Sequence, residues 1–342
     1  MAGAMDTITD IATLEGWIPI QLYAKAREPQ VDWAYLGKRQ FREPFFSETV
    51  EDSLRLPFNL LFRHQTSIEV LRRLYEEQPG ISPAGFIFHM SRCGSTLVSQ
   101  MLASVPGNIV ISEASPIDSV LRGDWGHELT NDGRVELLRW MVSALAQPRM
   151  GNERRFFVKF DAWNILHLPV IRQAFPDTPW IFLYRDPIEV LVSQSGRLGA
   201  HMIPTVIPPD LFGIDFQTVS SLSPQDYCSR VLAATCEAAL RHSPSGGRLI
   251  NYAQLPEVVW LSVLDFFGVK LTEGDLATMK AAVKFDSKNP LTVFNDDRPR
   301  KRDQATESLR AAADRWLYPI YEQLEAARLA PVGEQRESAP AN

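Results

Sequence analysis

The stretch Gly85-Phe-Ile-Phe-His-Met-Ser-Arg-Cys-Gly-Ser-Thr-Leu-Val-Ser99 constrains this chain more than any other. Phe86, Ile87 and Phe88 predict a buried strand, Ser91 to Ser95 a tight turn of small polar residues, and Leu97, Met101 and Leu102 the apolar side of a helix. A strand–turn–helix of this composition converges backbone N–H groups and the positive end of a helix dipole on one point, which suits an anion such as phosphate. An ATP-type loop, G-x-x-x-x-G-K-[ST], places Lys directly before the hydroxyl residue. Here Gly94 holds that place and the cation, Arg92, stands two positions earlier.

The rest of the chain supports an α/β domain around that turn. Short apolar runs at 109–111, 155–159, 180–184 and 248–252 alternate with helical segments at about 135–146, 164–174, 187–197, 224–242 and 257–267. This alternation predicts a three-layer sandwich: a mainly parallel sheet covered on both faces, with ligands at the carboxyl ends of its strands. Residues 1–80 hold Trp17, Trp33, Phe41, Phe45, Phe46, Phe58 and Phe62, too many large apolar groups for a disordered tail. They are expected to form an extension packed on a main domain at 81–328, with a disordered tail at 329–342.

Composition narrows the ligands. With 342 residues the chain can bury a sizeable core, and its net charge of −6 argues against a nucleic-acid partner. Cys93, Cys228 and Cys236 form no C-x-x-C pair, and the six histidines show no metal spacing, so free thiols and no metal site are expected. No apolar run reaches the roughly 18 residues of a membrane span, and the N-terminal residues show neither the basic nor the apolar stretch expected of a signal peptide. The expected location is cytoplasmic, without membrane or nucleic-acid partners; the oligomeric state is not readable.

The second informative segment is Phe182-Leu-Tyr-Arg-Asp-Pro-Ile-Glu-Val-Leu-Val-Ser-Gln194. Asp186 is a natural N-cap and Pro187 a natural first helical residue. That puts Arg185 at a strand end and Ser193 about two turns along the helix. Together they could hold a phosphate; alternatively, Arg185 pairs with a local carboxylate and Ser193 faces solvent.

The combination of S-R-C-G-S-T, R-D-P-x-x-x-x-x-S and the intervening F-P-D-T-x-W-I-F-L resembles the sulfotransferases that use 3′-phosphoadenosine 5′-phosphosulfate (PAPS). Asn251-Tyr-Ala-Gln-Leu255 is similar to that family's R-Y-E-D-L strand. The resemblance implies a P-loop-like turn in which Arg92, Cys93, Gly94, Ser95 and Thr96 wrap the 5′-phosphosulfate, with Arg185 and Ser193 on the 3′-phosphate. It implies Glu113 as general base and Lys159 beside Arg92 as stabiliser of the transferring group, nearer the tyrosylprotein branch than the cytosolic aryl branch. The R-K-G-x-x-G closing motif is absent, and the basic run at 298–302 makes Lys301 and Arg302 candidates for the remaining contact. The implied reaction moves a sulfuryl group to an acceptor hydroxyl, or an amine, of a small molecule, peptide or glycan. It leaves 3′-phosphoadenosine 5′-phosphate and requires no metal. A nucleotide-dependent kinase and a non-catalytic nucleotide-binding protein of the same fold are the alternatives. Of the histidines, His89 and His167 read as structural, whereas His201, in the loop 196–223, is a candidate acceptor contact and alternative base.

Overall fold

The computed structural model describes residues 11–24, 28–125, 129–244, 246–283 and 298–330. Its centre is a five-stranded sheet of β4 (Pro83–His89), β5 (Asn108–Ser112), β6 (Arg155–Lys159), β7 (Trp180–Tyr184) and β8 (Gly247–Asn251). The order is β5-β6-β4-β7-β8, and every neighbouring pair is parallel. Phe86, Ile87, Phe88, Phe156, Phe157, Val158 and the whole of β7 are fully buried, as strands covered on both faces must be. Phe160 stacks on Phe88 at 4.7 Å between ring centroids and meets Phe86 edge-on at 5.2 Å.

Because all five strands run the same way, their carboxyl ends share one edge. The turn 90–94 leaves β4 there, Glu113 follows β5, Lys159 ends β6, Arg185 follows β7 and Tyr252 follows β8. β4 lies mid-sheet: the chain passes from it to β5, returns through β6, then crosses to β7 on the other side. Such a crossing point is where open α/β sheets leave a crevice.

The aromatic-rich N-terminal segment forms a second, antiparallel sheet of β1 (Trp17–Tyr23), β2 (Gln30–Tyr35) and β3 (His64–Ser67). These strands are hidden in sequence because Pro19 sits in β1, where the register slips before Gln21, and β3 reads His-Gln-Thr-Ser. Ile18, Val31 and Trp33 join the same continuous core as the parallel sheet. Ser115 Oγ donates to the Ile20 carbonyl at 3.2 Å, and Gly80 N to Ser143 Oγ at 2.8 Å.

Two of the expected helices, and the C-terminal one, are interrupted. Residues 162–174 form a 3₁₀ segment, Ala162–His167, and then the helix Leu168–Ala174, whose second residue, Pro169, has no N–H to continue a ladder. The C-terminal helix widens to π geometry over Ala313–Leu317 between Glu307–Ala312 and Tyr318–Leu329. Pro319, with no N–H to give, sits at the start of the last piece. A π segment, Val259–Val263, also opens the helix expected at 257–267. Leu329 is helical rather than part of a tail, and 331–342 lie outside the described residues. Among the described residues no helix is long and apolar enough to cross a membrane.

Candidate functional site at the carboxyl edge of the sheet

The turn after β4 is wound tightly. Ser91, Arg92 and Gly94 have φ of 78°, 52° and 85°, and the helix Ser95–Ala103 starts immediately afterwards. Two successive non-glycine residues in the left-handed region each carry about 1–2 kcal/mol of strain, which the surroundings must hold. Ser91 N donates to His89 Nδ1 at 3.1 Å, Gln194 Nε2 to Ser91 Oγ at 3.1 Å, and Arg92 Nη2 to the Arg197 carbonyl at 2.6 Å. Gly94 is required twice over. Beyond its φ, a Cβ there would lie 2.7 Å from Leu255 Cδ1 and 2.8 Å from Tyr252 Cδ2. Cys93 is buried and its thiol points to the Leu183 carbonyl at 3.1 Å; burial pushes the thiol up to about 12, away from the thiolate form.

Beside the turn lies an ion pair. Lys159 is fully buried, and its Nζ stands 2.8 Å from Glu113 Oε1 and 3.4 Å from Thr96 Oγ1. Glu113 has φ of 57°, and its N–H donates to the Lys159 carbonyl at 2.7 Å, so the backbone itself turns the carboxylate toward the lysine. His89 Nε2 is 3.4 Å from the same carboxylate oxygen. Burial pushes the Glu113 carboxyl up, but the Lys159 ammonium and His89 more than reverse this, holding it well below the usual carboxylate range. Glu113 keeps 25% side-chain exposure against none for Lys159, so a molecule arriving from solvent meets the carboxylate first. The nearby Asp161 behaves oppositely: burial, then the charges of Glu113 and Asp118, push its carboxyl well up. Of these two carboxyls, Glu113 is the one held ionised.

At the end of β7, Asp186 caps the helix Pro187–Gly196 by accepting from Ile188 N and Glu189 N at 3.0 and 3.2 Å. Arg185 is buried. Its Nε lies 2.7 Å from Glu189 Oε2 and its guanidinium 4.0 Å from the Tyr252 ring centroid. Pairing with a local carboxylate, the alternative left open by the sequence, is therefore realised. Arg302, on the helix Arg298–Asp303, reaches the same place, 3.1 Å from Glu189 Oε1 and 3.6 Å from Asp186 Oδ2. Lys301 precedes it, half-buried, and Ser193 is half-buried on the Pro187–Gly196 helix.

Thus Arg92, Glu113, Lys159 and Thr96 come together, while Arg185 and Arg302 gather around Glu189 at the neighbouring strand end. Several participants escaped the sequence reading. Glu189 was visible, four positions after Arg185 on a helix. His89, expected to be structural, is buried 3.4 Å from Glu113 Oε1 and helps to lower its carboxyl, whereas His201, the expected alternative base, is buried beside the Trp163 ring. Arg197 carries a signal only in three dimensions: burial lowers the Arg92 guanidinium and the Arg197 charge lowers it further. Among the described residues no group of three or more His, Cys, Asp or Glu is placed to hold a metal.

Residues 83–204 match the model of the sulfotransferase family, a span that runs from β4 through the turn, Glu113, Lys159, Arg185 and Ser193. Among solved structures, the chain is similar to a sulfotransferase from Alicyclobacillus acidocaldarius, with 15% identity and a TM-score of 0.44 over 75% of this chain and 99% of that one. It is also similar to sulfotransferase STF9 from Mycobacterium avium, at 13% identity and a TM-score of 0.44 over 72% and 80%. A third is the sulfotransferase domain of the Synechococcus PCC 7002 olefin synthase, at 16% and 0.37 over 75% and 98%. The comparison with curated proteins finds no match.

Proposed function

From the match of residues 83–204 to the sulfotransferase-family model we propose that the chain moves a sulfuryl group from PAPS to an acceptor hydroxyl, or an amine. The observation that carries this reading is the position of Lys159 Nζ, touching Glu113 on one side and Thr96 of the turn on the other. Candidate base, cation and anion-facing backbone thereby share one small volume. The residues fit a donor with two anionic ends: Arg92, Lys159 and the start of the helix Ser95–Ala103 at one strand end, Arg185 and Arg302 at the next. Bound there, PAPS supplies an activated sulfuryl group on a phosphate leaving group.

The chain's own residues then have separable tasks. Gly94, Ser95 and Thr96 N–H groups, with Arg92 and Lys159, hold negative charge at the turn. Arg92 keeps its charge at any working pH and can grip two oxygens. Arg185 and Ser193 select the 3′-phosphate. Glu113 takes the proton of the acceptor hydroxyl as its oxygen attacks. As found, the Lys159 pair holds Glu113 too acidic to be a strong base. An anion at the turn that shares the Lys159 N–H bonds weakens this hold and returns the carboxyl toward its ordinary range. The base is thus activated when the turn is filled.

The test is calorimetry with 3′-phosphoadenosine 5′-phosphate against ATP with Mg²⁺, followed by transfer of label from radioactive PAPS into extracts. Preference for the bisphosphate together with a labelled product is expected. Preference for ATP would overturn the reading in favour of a kinase; bisphosphate binding without any labelled product would overturn the enzymatic part.

A further inference from the structure

The N-terminal extension delivers one side chain to the carboxyl edge. The ring centroid of Phe45 lies 4.8 Å from Lys159 Nζ. Phe45 falls outside the family-matched span, and no residue pattern around it advertises a function. Its position is nevertheless well secured. It immediately precedes the helix Phe46–Leu54 in extended conformation, φ −133° and ψ 146°, and its carbonyl accepts from Glu48 N at 3.2 Å. Two residues earlier, the Glu43 carbonyl accepts from Gln100 Nε2 at 3.2 Å, tying the segment to the Ser95–Ala103 helix. Glu43 also accepts from Thr49 Oγ1 at 2.6 Å and pairs with Arg39, which closes the loop on itself.

A lysine ammonium has three N–H donors and a tetrahedral set of directions to satisfy. Glu113 and Thr96 supply oxygen on two sides of Lys159. The ring stands on another, where its negative face attracts a cation most strongly when water is kept away. Lys159 is fully buried, so that condition is met. A leucine would fill a similar volume without the quadrupole, and an oxygen ligand would compete with the anion for the same N–H groups.

We propose that Phe45 is a positioning residue of the transfer site, its ring face holding the Lys159 ammonium between Glu113 and Thr96 while closing that side to water. The role assigned to the ring rests on the reading of Lys159 in the preceding subsection; the ring–ammonium contact does not. The extension is then a structural part of the reaction centre.

The experiment compares Phe45→Leu, Phe45→Tyr and Phe45→Ala in the full chain. Transfer from PAPS, binding of 3′-phosphoadenosine 5′-phosphate, and the ε-CH₂ signals of Lys159 in ¹³C-lysine-labelled protein are measured, with Lys159→Arg for assignment. In the wild type the ring should displace the Lys159 signals upfield, and Phe45→Tyr should keep that displacement. Phe45→Leu should lose it and lower turnover by about 30-fold, the rate equivalent of a desolvated cation–π contact. Bisphosphate affinity should change little. Phe45→Leu turnover equal to wild type overturns the proposal, and so do undisplaced Lys159 signals in the wild type. Displaced signals that Phe45→Leu abolishes, in a wild type that transfers nothing, uphold the contact and overturn the donor reading instead.

Discussion

Lys159 Nζ sits 2.8 Å from Glu113 Oε1, and the backbone ties the same two residues together through the Glu113 N–H and the Lys159 carbonyl at 2.7 Å. Their strands are neighbours in register, Ser112 beside Lys159, so the pair is a direct product of how β5 meets β6. A carboxylate and an ammonium brought together twice, by side chain and by main chain, cannot drift apart without unpairing the strand ends.

Glu113→Gln is therefore expected to separate chemistry from binding. Turnover should fall by the roughly 10²–10⁴ typical of a lost general base. Affinity for 3′-phosphoadenosine 5′-phosphate should hold or tighten, because a carboxylate no longer competes for the Lys159 N–H groups. Removing one partner of a buried pair costs about 3–5 kcal/mol; the exposure of Glu113 places this case at or below the low end. The double variant Glu113→Gln/Lys159→Met should recover part of that stability. An enzyme that keeps its rate with Gln at 113 would remove Glu113 from the chemistry, with His201 next to be tested.

Arg185→Ala is expected to abolish selection for a 3′-phosphate. The wild type should bind 3′-phosphoadenosine 5′-phosphate far more tightly than adenosine 5′-phosphate, and the variant should bind the two about equally. Calorimetry on the four combinations measures this. Equal losses for both nucleotides would mean that Arg185 serves only its pair with Glu189 at 2.7 Å.

Gly94→Ala tests the turn. A methyl group would meet Leu255 and Tyr252 side-chain atoms at 2.7 and 2.8 Å, in a backbone with φ of 85°. Strain alone costs about 1–2 kcal/mol, and the clash adds to it by pushing the turn away from Tyr252. Thermal unfolding should drop by several degrees, and bisphosphate binding should weaken by more than tenfold. Unchanged binding in a folded variant would show that the turn does not hold the nucleotide.

How much of this was readable follows from how local each feature is. The turn at 91–95 and the Asp186 cap were legible because their chemistry is set by adjacent residues: small polar residues at a strand end, Asp-Pro at a helix start. Lys159 and Glu113 needed the resemblance, since only the parallel order β5-β6-β4 makes them neighbours. The Arg185–Glu189 pair lay within helical reach in the sequence, yet choosing that partner over a phosphate required seeing both side chains buried together. Phe45 was illegible because its meeting with Lys159 depends on how an antiparallel extension docks on another sheet. The extension's strands were themselves masked by Pro19 and the polar run at 64–67.

The buried histidines make stability depend on pH. His201 is 3% exposed, and its Nε2 has no hydrogen-bond partner among the described residues. Burial, helped by the charges of His89 and Arg92 and opposed by Glu113, lowers it to about 3. Its folded value lies below the unfolded value of about 6.5, so the unfolded chain binds the proton first. The stability contribution is thus complete above about pH 6.5 and is lost as pH falls toward about 3, by roughly 1.4 kcal/mol per pH unit. His89, also buried and lowered, acts in the same direction. Urea unfolding at pH 7, 6 and 5 should show falling stability, and His201→Phe, which replaces an unsatisfied ring beside Trp163, should flatten the slope without loss at pH 7. Parallel slopes in wild type and His201→Phe would show that His201 takes up its proton in the folded chain as readily as in the unfolded one.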